Sequence, residues 1–269
     1  MTKFRCPLCQ QALELTLQSY QCSNKHCFDL AKEGYVNLLP VQKKKSKLPG
    51  DSASMIQARR RFLDHGYYGG FAKTLCDLID EQDSINTLLD IGCGEGYYTS
   101  QIKQRLPAVD VSGIDISKAG VRLCSKKHAS GQFAVASAYE LPFIDDQFDC
   151  AVSIFSPISL TEAARVMRQD SRLYVCGPGP NHLRALASIV YDTPKVHEDS
   201  ELREPSSLLH LSATHRYENS ISVSGAHLLD LLQMTPYYWH CSDENKTKLT
   251  ELDSLAIELD FSIRVYSKS

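Results

Sequence analysis

Short apolar runs recur along the middle of the chain, separated by polar stretches of helix length. The run T-L-L-D-I at 87–91 carries aliphatic side chains at nearly every position, which predicts a strand buried on both faces. Similar runs at 111–117, 132–136, 148–154 and 173–176 predict four more strands, and the helix-length stretches at 101–109, 118–127 and 160–167 fit between them. This β-α alternation predicts a parallel sheet flanked by helices. The last third changes character. Segments 214–223 and 255–266 alternate polar and bulky residues, as late strands of the sheet do, around a helix at 226–232 and an aromatic turn at 234–239. Between the two regions, 193–210 is polar, contains proline and is weakly patterned, which predicts a mobile insertion on the substrate side. Upstream, 13–20 suits a short hairpin strand. Residues 52–65 suit a helix capped by Ser54, with Met55, Ala58 and Phe62 on one face, and Gly66 to Gly70 suit an aromatic turn.

The stretch D-I-G-C-G-E-G-Y-Y-T, from Asp90, carries the strongest chemistry. Gly92, Gly94 and Gly96 let the backbone turn tightly and let a ligand come closer than a Cβ would permit. The helix starting at Tyr97 and Tyr98 presents free N–H groups to an electronegative ligand. The second strand ends G-I-D-I-S, and Asp115 lies about 20 positions beyond the glycines, where a carboxylate accepts hydrogen bonds from a ribose diol. The spacing G-C-G-E-G, with Asp90 ahead of it, differs from the dinucleotide fingerprint G-x-G-x-x-G. These two motifs resemble those of class I S-adenosylmethionine (SAM) methyltransferases.

At 269 residues and 43% hydrophobic composition, the chain suits one large domain plus a small module. It has no long apolar run and no signal-like N-terminus, so a cytoplasmic protein without a membrane partner is expected. Ten cysteines in such a chain raise metal ligation before disulfides. Cys6-Pro7-Leu8-Cys9 is a thiolate knuckle, followed after twelve residues by Cys22 and then by His26 and Cys27. Four such ligands suit tetrahedral Zn2+, which a segment too short for its own core needs in order to fold. The fourth ligand is His26 or Cys27, and C-x3-H is the more comfortable spacing. The net charge of −3 conceals an asymmetry: residues 1–61 hold eleven Lys/Arg against four acids. A basic head on an acidic body suggests a polyanionic partner. Lys43, Lys44, Lys45 and Lys47 form a basic linker run, and Arg59-Arg60-Arg61 face either phosphates or acids of the main domain.

C-P-L-C, then C-x3-H-x-F-D-x-A-K-E-G-Y-V-N-L-L-P, G-D-S-A-x-M-x-x-A-R-R-x-F-L, D-I-G-C-G-E-G-Y-Y-T, L-P-F, G-P-x-x-H-L and L-L-Q-M-T-P follow in this order over nearly the whole chain. Together they resemble the RlmA (RrmA) family of bacterial 23S rRNA (guanine-N1)-methyltransferases. The resemblance implies an α/β fold: a Rossmann-like class I methyltransferase with a seven-stranded, mostly parallel sheet and a small N-terminal zinc-ribbon-like module. It implies a zinc module at 1–36, a basic linker and helix at 37–62 and a catalytic domain at 63–269. It also implies SAM and Zn2+ as cofactors, 23S rRNA around helix 35 as partner, and a homodimer whose two zinc modules form one RNA cleft. Cys6, Cys9, Cys22 and His26 become the metal candidates. Asp90, Gly92, Gly94, Glu95, Gly96, Tyr97, Tyr98, Asp115 and Ile116 become cofactor candidates. So do Ser137 and Ala138, with Ser137 standing where many such enzymes carry an acid for the adenine amine. Tyr68 and His182 join them by resemblance, the alternatives being a packing aromatic and a capping-loop histidine. No residue is singled out as the base for the guanine N1 proton. Two other readings stay open: a small-molecule methyltransferase with a structural zinc lid, and a catalytically silent RNA-binding protein.

Overall fold

A computed structural model describes residues 2–43, 49–191, 193–194 and 208–268. Lys44, Lys45 and Lys47, and most of the polar insertion expected at 193–210, lie outside the described residues. In chain order the strands and helices begin with β1 (Glu14–Leu15), β2 (Ser19–Gln21), β3 (Cys27–Asp29) and β4 (Tyr35–Asn37). Then come α1 (Ala53–Asp64), α2 (Gly69–Asp80), β5 (Thr87–Ile91), α3 (Tyr97–Arg105), β6 (Asp110–Asp115), α4 (Lys118–Lys127) and β7 (Gln132–Val135). The chain continues through β8 (Phe148–Ile154), α5 (Leu160–Val166), β9 (Met167–Pro178) and α6 (Arg184–Val190). It closes with β10 (Leu209–Ser224), α7 (Gly225–Gln233), α8 (Asp243–Glu251) and β11 (Ser254–Lys268). No helix among the described residues is long and apolar enough to cross a membrane.

β1, β2 and β3 form a small antiparallel sheet, and the other strands form one sheet in the order β10-β11-β9-β8-β5-β6-β7-β4. The expected seven strands are there, parallel from β7 to β9 and antiparallel at β11 and β10. The eighth is β4, which pairs parallel to β7 with Val36 opposite Ala134. It comes from Y-V-N, a short β-favouring run whose Tyr35 and Val36 are buried. The Leu38 N–H extends the ladder by donating to the Val135 carbonyl at 2.9 Å. The parallel sheet thus ends on a strand from the N-terminal segment, which covers an otherwise open edge of β7. The expected boundary after residue 36 falls inside this strand.

The N-terminal segment packs against the main domain through both side chains and main chain. Phe4 is fully buried, its ring centroid 5.0 Å from that of Phe143 and 5.1 Å from that of Tyr20. Burying such a ring stabilises the contact by about 2–3 kcal/mol. Main-chain bonds run both ways across the joint, from the Arg5 N–H to the Pro142 carbonyl and from the Ile144 N–H to the Lys3 carbonyl. Beneath them Arg165 donates to the carbonyls of Leu141 and Phe143 and pairs with Glu162, which in turn faces Arg5 at 3.6 Å.

Two details differ from the sequence reading. Ser52, not Ser54, caps α1: its backbone is extended and its Oγ accepts from the Met55 N–H, while Ser54 already lies in the helix. Gly69 and Gly70, read as the end of a turn, are the first turn of α2, which buries Phe71, Ala72, Leu75, Cys76 and Ile79 on one face. The arginine triplet faces acids. Arg59 pairs with Asp51, Arg60 with Asp64, and Arg61 grips Asp230 of α7 through Nε and Nη2.

Candidate cofactor and metal sites

The cofactor candidates meet at the carboxyl ends of the parallel strands, where β5 has β6 on one side and β8 on the other. This is the switch point at which open α/β sheets bind ligands. Gly92, Gly94 and Gly96 all have positive φ, at +87°, +52° and +84°. A Cβ on Gly92 would lie 2.1 Å from Ser156 Oγ, and one on Gly96 2.8 Å from Cys124 Sγ. The glycines therefore do two jobs: they permit the left-handed backbone and admit the loop at Ser156 and the helix α4 at Cys124.

Three buried or half-buried acids surround this loop. Asp90 is buried, accepts from Thr99 Oγ1 at 2.5 Å, and is pushed up to about 7 by burial. Asp115 accepts from the N–H groups of Gly94 at 2.9 Å and Ser117 at 2.7 Å, while burial raises its carboxyl. Glu95 is buried and likewise raised by burial, against the pull of Arg59. Ile116 is exposed beside Asp115. Ser137 and Ala138 begin the loop after β7, and Ser137 Oγ accepts from the Tyr139 N–H at 3.2 Å. That hydroxyl shapes its own turn.

Tyr68 and His182 lie on the β8 side of the loop. Tyr68 is buried edge-on to Phe261 at 5.1 Å, and His182 stands 4.6 Å from Phe261 and 5.6 Å from Phe155. His182 Nδ1 also accepts from the Asp260 N–H at 3.3 Å. Tyr97 and Tyr98 pack edge to face at 5.0 Å, and Tyr98 meets Phe71 of α2 edge-on at 5.8 Å. The aromatic turn splits: Tyr237 packs edge-on to Tyr191 at 5.6 Å, whereas Trp239 is exposed.

Sequence reasoning missed two features. Phe155, at the end of β8, has a φ of +53° and an exposed ring, next to the Ser156 that seats against Gly92. A bulky residue in that conformation is strained, and no sequence signal reports it. Gly50 and Asp51 lie over the end of β6: Ser117 Oγ donates to the Asp51 carbonyl at 2.8 Å, and Arg59 Nη2 meets Asp51 Oδ2 at 2.5 Å. G-D-S-A and A-R-R were visible as motifs, but their position over the glycine loop was not.

At the other candidate site, the ligand atoms of Cys6, Cys9, Cys22 and His26 all lie within 4.8 Å of one another. Cys9 Sγ is 3.6 Å from Cys22 Sγ, and His26 Nδ1 is 3.5 Å from Cys6 Sγ and 3.4 Å from Cys22 Sγ. A tetrahedral zinc about 2.3 Å from sulfur and about 2.0 Å from nitrogen requires edges of roughly 3.5–3.8 Å, so this donor set fits. Both knuckles turn through a left-handed residue, Gln10 after Cys9 and Lys25 before His26. The Gln11 N–H draws the Cys9 thiol down to about 6. Cys27 is exposed and stands apart from the four.

Comparison with known proteins agrees with this geometry. The family model for the N-terminal zinc ribbon of RlmA matches residues 4–47, and a methyltransferase-domain model matches 88–174. YxjB of Bacillus subtilis (strain 168), whose name places it provisionally among 23S rRNA (guanine-N(1)-)-methyltransferases, is 31% identical over 98% of this chain and 97% of its own. The 23S rRNA (guanine(748)-N(1))-methyltransferase of Streptomyces fradiae is 28% identical over 93% of this chain and 91% of its own. A solved geranyl diphosphate methyltransferase in complex with SAM shares the fold, with a TM-score of 0.50 at 15% identity over 82% of this chain and 92% of its own.

Proposed function

The chain belongs to the RlmA family of 23S rRNA guanine-N1 methyltransferases, and from that premise we propose that it methylates N1 of one guanosine in a 23S rRNA hairpin around helix 35. The observation that carries this reading is a single chain uniting both halves: a four-ligand metal set at one end and a glycine loop held by Asp115 at the sheet's switch point. SAM, when bound, supplies an electrophilic methyl group on its sulfonium. Asp115 takes the ribose diol, the loop from Gly92 to Gly96 gives the close backbone approach, and Ser137–Ala138 border the adenine. Tyr68 and His182 set the wall behind Phe155, whose exposed ring offers a face to an extruded base. Positioning carries most of the rate for such a transfer.

Zn2+ on Cys6, Cys9, Cys22 and His26 folds the N-terminal module, which recognises the hairpin by phosphate and shape. The exposed Lys25 and Lys32 both lie in that module. The same reading takes residues 1–36 as the RNA-recognition module, 37–62 as its connection and 63–269 as the catalytic domain. An rRNA substrate places the work in the cytoplasm, away from any membrane. Two copies sharing one RNA cleft complete the reading, and light scattering with and without the hairpin checks that stoichiometry.

The test is methyl transfer from labelled SAM to 23S rRNA that lacks the modification. Transfer that is lost both on Asp115→Ala and on Cys6→Ser is the expected result. SAM binding without transfer to rRNA would refute the RNA substrate and favour a small-molecule acceptor.

A further inference from the structure

We propose that Arg59 is the carboxylate clamp for the methionyl end of the cofactor, with Asp51 holding its place before binding. The proposal rests on the SAM reading above and begins from charge. SAM presents a sulfonium, an ammonium, a ribose diol and one carboxylate. The loop side of the site is rich in acids, namely Asp90, Glu95, Asp115 and Asp51, which suit the first three groups and oppose the fourth. A carboxylate entering among them requires a cation at close range.

Arg59 has that position. Its Nη1 lies 3.8 Å from where a Cβ on Gly94 would stand, over the middle of the glycine loop. Its side chain is 25% exposed, and Asp51, Glu95 and Asp115 favour its charge against the cost of burial. Its neighbours on the triplet face elsewhere and are engaged with Asp64 and Asp230. Lys127 acts on Glu95 from α4 but sits at that helix's far end.

The anchoring of Asp51 supports the second half of the proposal. Gly50, at φ +80°, presses against Ile116 so closely that a Cβ would lie 2.8 Å from Ile116 Cγ2. Ser117 Oγ then holds the Asp51 carbonyl. This short segment is thereby pinned to the strand end that carries Asp115, and its carboxylate meets Arg59 at 2.5 Å. One carboxylate on a guanidinium marks the geometry a second carboxylate can adopt, because the planar fork of N–H groups can donate to either. Asp51 is the internal stand-in, and the cofactor's carboxylate replaces or joins it.

The experiment compares two ligands by titration calorimetry: S-adenosylhomocysteine, which has the amino-acid tail, and 5′-methylthioadenosine, which lacks it. Losing a charge-assisted bidentate contact should weaken S-adenosylhomocysteine about 10- to 100-fold in Arg59→Gln while leaving 5′-methylthioadenosine within about twofold. Arg59→Lys, which keeps the charge and loses the fork, should fall between wild type and Arg59→Gln. Asp51→Asn should bind S-adenosylhomocysteine as tightly as wild type or more so. Unchanged S-adenosylhomocysteine affinity in Arg59→Gln would overturn the clamp. So would equal loss of both ligands in a variant that keeps the wild-type melting temperature. A marked loss in Asp51→Asn would overturn the stand-in role. A wild-type protein that binds neither ligand would instead overturn the cofactor reading on which the clamp depends.

Discussion

Asp90, next to last in β5, stands where a carboxylate is costly to ionise, with Thr99 as its hydrogen-bond donor. Its folded value is about 7, against 3.8 for the free side chain. Below the lower value both folded and unfolded chains hold the proton, and stability is unaffected. As pH rises through the interval, the unfolded chain releases its proton first. Folding stability then declines until the folded carboxyl ionises near 7, by an amount on the order of 4 kcal/mol. Asp90→Asn removes that dependence while keeping an acceptor for Thr99. The melting temperature of the variant should therefore gain on wild type between pH 4 and pH 7.5, as thermal unfolding followed by circular dichroism would show; a constant difference would contradict the assignment. Gly92→Ala should cost roughly 2–3 kcal/mol in urea unfolding, because a Cβ at positive φ would strike Ser156. That three glycines were needed here was legible from their spacing. That one of them seats a loop 64 residues away was not, because such a contact belongs to the tertiary structure.

At the scale of elements, the sheet's parallel half was legible because its strands are doubly buried and read as apolar runs. β4 was not read as a strand, since three residues beside a basic linker give too short a pattern to weigh. α2 was missed because two glycines at its start resemble the end of a turn, although the buried positions 71, 72, 75, 76 and 79 follow helical spacing. These two elements set the mechanical plan. β4 joins the zinc segment to the catalytic sheet, and Phe4 and Arg5 press on the loop 137–144. Stripping zinc with a chelator should therefore raise amide exchange at 14–29 and also at 137–144, with β5 and β8 still protected. Exchange confined to 14–29 would show that the module is mechanically separate.

Across the whole molecule, charge is divided more finely than the sequence suggested. Much of the basic excess at the N-terminus is spent internally, since Arg59, Arg60 and Arg61 all meet acids of the fold and Lys43 pairs with Glu140. Lys25 and Lys32 remain on the surface of the described residues. Neutralising both should lower hairpin affinity uniformly and reduce the slope of log affinity against log salt by about one per lysine. An unchanged slope would remove these lysines from the RNA contact. The proposed chemistry takes place at one atom of one base. The most direct measurement is digestion of 23S rRNA after reaction with labelled SAM, with mass spectrometry of the nucleosides and primer extension to locate the product. The expected product is 1-methylguanosine at a single hairpin position. Label on another atom or spread over many guanosines, or no label on rRNA at all, would contradict it.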